Sequence, residues 1–366
     1  MNDDDLLAAR FEAHRAHLRA VAYRMLGSLS EAEDAVQEAW FRLSRTDVSD
    51  VENLAGWLTT VTGRVCLDML RSRESRREDP IGERLPDPIV SVGDHVDPEY
   101  EALLADSVGL ALLVVLDTLA PAERLAFVLH DMFSVPFEEV ATIVERSPAT
   151  TRQLASRARR RVQGARVTPD PDLARQREVV AAFLSAARDG DFGALVSVLD
   201  PDVVLRVEGA DVPIGTLRVI RGANEVAGQA MAFRTMADRY VPVLVNGAVG
   251  MMSAPNGKPK IVAAVTVSGG KIVAMDILAS PERLRRLAQF LPSPRTEDPT
   301  PSASLPGDPS SSPGHPASSP GHPGSSPGHP GSSPGDSSPL PGGPGSSGGP
   351  ASLSDGPDSS GGQDRR

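Results

Sequence analysis

The sequence predicts a multidomain chain: two all-α units in the first half, then an α+β domain with a curved, mostly antiparallel sheet, then a tail that forms no core. Three observations carry that prediction. Apolar residues recur at helical spacing up to about residue 162; short apolar runs separated by turn dipeptides replace them over 172–290; and Pro, Gly and Ser dominate after Pro292. At 366 residues the chain is long enough for several separate cores.

The first helix is expected over residues 6–26, where Leu7, Phe11, Leu18, Val21, Met25 and Leu26 form a stripe and Gly27 supplies a stop. A second follows at once. Ser30 and Glu33 have the spacing of a capping box, and Ala35, Val36, Ala39, Trp40 and Leu43 give the apolar side, opposite Glu31, Asp34 and Glu38. A third helix over 54–73 packs Trp57, Leu58, Val61, Val65 and Leu70, with Thr60, Arg64 and Arg71 together on a polar side. Prolines at 80, 86 and 88 make the next stretch a linker, since they suit neither a helix nor a central strand. Beyond it the pattern predicts helices over 98–119 and 121–132, then a closely spaced pair at 137–144 and 148–162.

From Asp172 the period changes. One amphipathic helix (173–188) leads into apolar runs at 203–207, 241–245, 261–267 and 272–278, punctuated by Asn246-Gly247, Asn256-Gly257 and Gly269-Gly270. The tail repeats Ser-Ser-Pro-Gly-His-Pro-Gly/Ala with a seven-residue period over 311–331, without an apolar seam. Its His315, His322 and His329 fix no metal geometry in a flexible chain, so the segment reads as disordered, solvated linker.

Charge is unevenly placed. The net charge is -11, yet residues 147–168 carry Arg152, Arg157, Arg159, Arg160, Arg161 and Arg166 with no Asp or Glu, a local positive field that attracts phosphate. The pair at 137–162 has the layout of a helix-turn-helix. Val140, Ala141 and Ile143 anchor the support helix, Ser147 caps the next with Pro148 at its first position, and Leu154 faces inward. Thr150, Arg152, Gln153, Ser156, Arg157 and Arg160 are left for DNA, since arginine holds guanine bidentately, glutamine can do so with adenine, and the remaining arginines need only phosphates. The bland alternative is a solvated arginine-rich helix in a bundle.

No stretch approaches the roughly 18 consecutive apolar residues of a membrane span, and the acidic start Met1-Asn2-Asp3-Asp4-Asp5 is unlike a secretion signal. A cytoplasmic protein without a membrane partner is expected. The single cysteine, Cys66, can form neither an internal disulfide nor a metal pair, and reads as a buried apolar residue.

Leu119-Ala-Pro-Ala-Glu-Arg-Leu-Ala-Phe-Val-Leu-His-Asp-Met-Phe133, with Phe137-Glu-Glu-Val-Ala141 and Arg152-Gln-Leu-Ala-Ser-Arg-Ala-Arg-Arg-Arg161, closely resembles region 4 of extracytoplasmic-function sigma factors, of the sigma-70 family. Glu33-Asp-Ala-Val-Gln-Glu-Ala-Trp40 and Trp57-Leu-Thr-Thr-Val-Thr-Gly-Arg-Val-Cys-Leu-Asp-Met-Leu-Arg71 resemble region 2 of that family, and residues 172–290 resemble a SnoaL-like cone domain, the extension of the sigma-J type. The segments are then region 2 (1–78), a linker (79–97), region 4 (98–166), a SnoaL-like regulatory domain (171–291) and the Pro/Gly/Ser tail (292–366).

The resemblance implies an alternative sigma factor that binds core RNA polymerase and directs initiation at promoter DNA. Asp34, Gln37 and Glu38 would meet the clamp helices of the largest subunit, and the flap of core RNA polymerase is a second implied contact. Arg45, Asn53, Arg64, Arg71 and Arg73 would serve the -10 element, where a flipped base needs a pocket and the separated strands need cations. Thr150, Arg152, Gln153, Ser156, Arg157 and Arg160 would read the -35 element. Glu145 stands in the turn where the family commonly has glycine, so a left-handed backbone there would be strained or the turn differently shaped. Leu85, Pro86, Asp87 and Pro88 in the linker, and Ser280, Pro281, Glu282, Arg283 and Leu284 near the end of the third domain, partly match regulatory motifs of the subgroup.

Regulation in cis by the third domain is therefore the reading, with no cofactor, no metal and no catalytic residue. The rivals are a free-standing helix-turn-helix regulator with a ligand-binding domain and a SnoaL-like small-molecule enzyme. The first has no use for the region 2 motifs. For the second, residues 172–290 lack histidine and cysteine and offer only Tyr240 beside Asp238, and Asp200 with Asp202 at a Pro-containing turn. A small apolar ligand or a regulator at the cone is left open.

Overall fold

A computed structural model of the chain describes residues 3–46, 51–76, 84–91, 109–165, 169–209, 217–232, 239–255 and 258–287. Several sequence expectations lie outside the described residues: the start of the 98–119 helix, Arg166, Asp238, the Asn256-Gly257 turn, and the tail with its histidines, as do residues 47–50 between Arg45 and Asn53.

Three helices open the fold, α1 (Asp3–Leu26), α2 (Leu29–Leu43) and α3 (Leu54–Arg76). They pack through the stripes legible in the sequence, so that Leu18, Val21, Met25, Val36, Leu43 and Leu58 are fully buried. Gly27, at φ +69°, ends α1 in the left-handed conformation. The expected capping box does not form. Helix α2 begins one residue before Ser30, Ser28 caps it without a side-chain bond, and Glu33 turns instead to Arg15 on α1. The first amide of α2, Leu29 N–H, donates to Asp87 Oδ2 of the linker at 2.9 Å. Cys66 is buried, and burial pushes its thiol up to about 12.

Residues 85–91 of the linker are buried. They end in β1 (Val90–Ser91), an edge strand, which is the place in a sheet that tolerates nearby proline. Then come α4 (Leu110–Asp117), α5 (Pro121–Phe127) with a π turn over Val128–Met132, α6 (Phe137–Val144) and α7 (Pro148–Gly164). The π turn ends the helix expected over 121–132. Phe133 N–H reaches back to the Val128 carbonyl at 3.2 Å, and the His130 ring stacks on Phe137 with centroids 3.6 Å apart.

The third domain begins with α8 (Leu173–Asp189), capped by the Asp172 side chain, and α9 (Phe192–Val198), capped by Asp191. After them come β2 (Leu199–Glu208), β3 (Arg218–Arg221), α10 (Ala223–Ala232), β4 (Tyr240–Val245), β5 (Ala248–Ser253), β6 (Ile261–Ser268), β7 (Lys271–Leu278) and α11 (Pro281–Leu287). The sheet order is β1-β4-β5-β6-β7-β2-β3, antiparallel except where β2 runs parallel to β7. Asn246 and Gly247, both at positive φ, make the β4–β5 turn as expected.

Alternation divides the sheet into two apolar faces. Val249, Met251, Ala263, Val265 and Met275 pack with Val180, Phe183, Leu195 and Val226 of α8, α9 and α10. Val243, Val245, Met252, Val262, Ala264 and Leu278, on the other face, belong to the same core as Leu110 and Leu113 of α4 and Leu284 and Leu287 of α11. That core continues through α1–α3, α5 and α6, so among the described residues the helical half, the linker and one sheet face share one interior. No described helix is long and apolar enough to cross a membrane.

Candidate nucleic-acid interface

Helix α7 presents the residues selected for DNA. Arg152, Gln153, Ser156, Arg157 and Arg160 are exposed and Thr150 half-exposed, while Thr151, Ala155 and Ala158 are buried against the core. The helix starts as its sequence dictates: Thr150 N–H donates to Ser147 Oγ at 3.2 Å, with Pro148 in the first turn. Glu145 adopts the left-handed conformation at φ 57° and ψ 47°, so the turn has the shape glycine would give and a side chain bears it, at roughly 1–2 kcal/mol.

The arginines of α7 are anchored by neighbouring carboxylates. Arg152 lies 2.8 Å from Glu138, Arg159 2.6 Å from Asp131, and Arg157 and Arg161 stand 3.8 and 3.7 Å from the buried Glu123. The Arg152–Glu138 pair is exposed, and such a pair is worth little and exchanges readily for a phosphate partner.

Asp34, Gln37 and Glu38 are exposed on one face of α2. Glu38 bonds Arg42 at 3.0 Å. Phe41, 43% exposed, continues the same face, so this surface is acidic with one aromatic ring. The sequence reading missed Phe41; its signal is an aromatic residue on the polar side of an amphipathic helix.

The residues considered for the -10 element are not brought into one pocket. Arg45 and Arg71 are exposed, Asn53 Oδ1 accepts from Gly56 N–H at 3.0 Å and so caps α3, and Arg73 pairs with Glu31. Arg64 donates to the Thr142 carbonyl of α6 at 3.3 Å. Beside it, a Cβ on Gly63 would stand 3.1 Å from Leu129 and 3.7 Å from Ile143, so α3 lies directly against α5, its π turn and α6. His17 closes the same contact, 3.3 Å from Thr59 Oγ1 and edge-on to Phe133.

The two partly matched motifs meet. Arg283 of α11 pairs through one terminal nitrogen with Asp87 and through the other with Glu208 of β2, all three side chains being buried. Asp87 also caps α2 through its other oxygen, and its N–H donates to the Gly27 carbonyl at 2.8 Å. Glu208 accepts from Leu85 N–H at 3.0 Å. Tyr23 donates to the Asp87 carbonyl and accepts from Asn246 Nδ2 at 2.9 Å; its burial raises the phenol well above its ordinary range. Asn246 in turn exchanges bonds with Ile89 of the linker. Tyr23, Glu208 and Asn246 escaped the sequence reading because each has a sufficient local explanation, as core tyrosine, strand end and turn residue.

Of the groups considered for catalysis, Asp200, Asp202 and Tyr240 are among the described residues. Asp200 Oδ1 accepts from Asp202 N–H at 2.9 Å, the local turn bond typical of aspartate, and Tyr240 is half-buried with its phenol raised by burial. Among the described residues no group of three or more His, Cys, Asp or Glu is placed to hold a metal ion.

Sigma-70 region 2 matches residues 10–76, and Sigma-70 region 4 matches residues 109–162. The ECF RNA polymerase sigma factor SigJ of Mycobacterium tuberculosis is 40% identical over 294 residues, which cover 75% of this chain and 92% of that protein. The chain belongs to the extracytoplasmic-function sigma factors. The probable sigma factor SigI of the same organism is 38% identical over 286 residues, covering 78% of this chain and 97% of that one. The crystal structure of Mycobacterium tuberculosis SigJ matches at a TM-score of 0.63 and 36% identity, over 78% of this chain and 100% of that chain.

As a sigma factor the chain directs core RNA polymerase to initiate at promoters. Its α1–α3 are region 2, its α4–α7 region 4 with the helix-turn-helix, and its sheet domain is the SnoaL-like extension. In these terms the described arrangement is closed: region 2 touches region 4 through Gly63 and Arg64, and the extension meets region 2 through Asn246 and Tyr23, the linker through Arg283, and region 4 through the sheet face.

Proposed function

We propose that this sigma factor is held closed in cis by its C-terminal domain and opens on core RNA polymerase to engage both promoter elements. The observation that carries this reading is the single core shared by regions 2 and 4, with the linker locked to it by the Asp87–Arg283 pair. Elements at -35 and -10 lie about 25 base pairs apart, roughly 85 Å at 3.4 Å per pair. Helical units of this size are roughly 30 Å across, and two of them in van der Waals contact do not span that distance. Opening must therefore precede promoter engagement.

Within the reading, Asp34, Gln37, Glu38 and Phe41 face the clamp helices of the largest polymerase subunit, where an acidic, partly apolar surface suits a basic groove with an apolar floor. Thr150, Arg152, Gln153, Ser156, Arg157 and Arg160 read the -35 element. Arg45, Arg71 and Arg73 attend the separated strands at -10, Asn53 contributes by shaping the start of α3, and the exposed Arg64 joins them on exchanging its bond to Thr142. The linker and α11 motifs are the regulatory contact. The chain acts in the cytoplasm beside polymerase and is not an enzyme.

The test is transcription in vitro with purified core polymerase and a GC-rich genomic template library. The full chain should yield start sites that share two upstream elements. Arg152→Ala with Arg157→Ala should suppress those starts, each base-reading contact being worth about 1–3 kcal/mol. Starts that survive both substitutions would remove α7 from -35 recognition, and no core-dependent start at all would overturn the reading.

A further inference from the structure

A cleft of about 510 Å³ opens where α1 turns into α2, bounded by the end of α3, the linker, the α4–α5 junction and α11. That volume is within the range of small-molecule sites. Part of its lining is apolar, from Leu26, Leu70 and Leu119. The carboxylates in its wall are largely engaged: Asp87 with Arg283, Asp117 with Arg124, Glu31 with Arg73.

The unmet demand is a donor. Arg124, only 2% exposed, bonds Asp117 through Nη1 at 2.8 Å and the Arg24 carbonyl through Nε at 3.3 Å, but its buried Nη2 has no partner among the described residues. A guanidinium nitrogen left this way costs about 1–3 kcal/mol or more, because its hydration is lost and nothing replaces it. Nη2 lies beneath Gly27: a side-chain atom there would stand 3.6 Å from Nη2 and 3.5 Å from Pro86 Cβ. Gly27, Pro86 and Arg124 all line the cleft, so the unsatisfied N–H groups lie in its wall, beneath the glycine.

We propose that this cleft binds a small organic anion, a carboxylate or phosphate ester, with its oxygens on Arg124 Nη2 and its apolar body against Leu26, Leu70 and Leu119. A neutral ligand of the same shape leaves the cationic donor unmet, whereas an anion gains a charge-assisted bond in a low-dielectric wall. The ligand touches region 2, the linker, region 4 and α11 together, so it stabilises the closed arrangement by mass action. The site itself does not depend on regulation in cis; only that consequence does.

The experiment is calorimetric titration of the full chain with phenyl phosphate, benzoate and neutral phenol. At least one anion should bind at one site with a Kd of about 1 mM or tighter, and the stronger of the two identifies the headgroup, while phenol should not bind. Arg124→Met should weaken binding about tenfold or more, the worth of a charge-assisted bond. If that variant does not fold, Gly27→Asn decides: asparagine tolerates the left-handed backbone, its Cβ would stand 3.6 Å from Nη2 without a clash, and its side-chain carbonyl offers Nη2 its own acceptor, so the chain should fold and the anion be lost. Absence of saturable binding by either anion, equal binding of phenol, or undiminished binding to Gly27→Asn would each overturn the proposal.

Discussion

Where region 4 meets region 2, Gly63 lets the helices approach until Leu125, Leu129 and Ile143 cover it; where the extension meets the linker, the contact is a buried guanidinium between two buried carboxylates. The two contacts fail differently. An apolar contact loses energy in proportion to area and shape, and tolerates partial change. A buried ion triad contributes little over an apolar filler, yet removing one member strands the others without water, so it is close to all-or-none. On the closed-state reading proposed above, the apolar contact supplies adhesion and the charged one the switch: Asp87 accepts from the first amide of α2 and is paired with Arg283 of α11.

The largest effect should come from the charged side. Arg283→Met keeps most of the side-chain volume and leaves Asp87 and Glu208 uncompensated, which should cost about 3–5 kcal/mol in denaturant unfolding of the full chain. The same variant should initiate more readily on core polymerase, because the closed state loses its lock. A change below about 1 kcal/mol, the size of an exposed pair, would mean the triad is hydrated and switches nothing.

A smaller effect is expected on the apolar side. Gly63→Leu forces side-chain atoms where Leu129 already stands, an overpacking of about 1–3 kcal/mol against the closed state. Fluorescence transfer between dyes placed on α3 and α7 should fall as the regions separate. Unchanged transfer would show that the contact absorbs the bulk and that Gly63 does not set the approach of the two regions.

The same contrast explains what was legible in the sequence. Helix α6 and the start of α7 follow from local chemistry, the stripe Val140, Ala141, Ile143 and the Ser147-Pro148 start, and both appear where expected. The Ser30–Glu33 capping box was outbid by partners distant in sequence, Asp87 for the first amide of α2 and Arg15 for Glu33. Strand β5 is buried on both faces and so lacks the alternation that betrays a strand, while β3 is a short, largely exposed edge. Strand β1 exists only because Val90 and Ser91 find Val245 and Leu244 more than 150 residues on. At the candidate interface, periodicity gave which α7 residues are exposed; that Arg64 is tied to Thr142, and Arg283 to Asp87, depends on tertiary packing that no local pattern encodes.

The smallest expected effect is one of pH, on the apolar side. His17 lies in the apolar contact, and burial first, then the charges of His14 and Arg24, lower its pKa below the ordinary 6.5. In the folded chain it is therefore neutral where the unfolded chain already takes up a proton. Its contribution is fully present above the unfolded value and is lost as pH falls through the lower folded value, so stability should decline on acidification from about pH 7. Carboxylates elsewhere add their own acid limb, which is why the readout is a difference: His17→Phe should show a shallower decline than the parent chain. Equal slopes for His17→Phe and the parent would show that this imidazole is hydrated, and that the contact between regions 2 and 4 is looser around Phe133 than around Gly63.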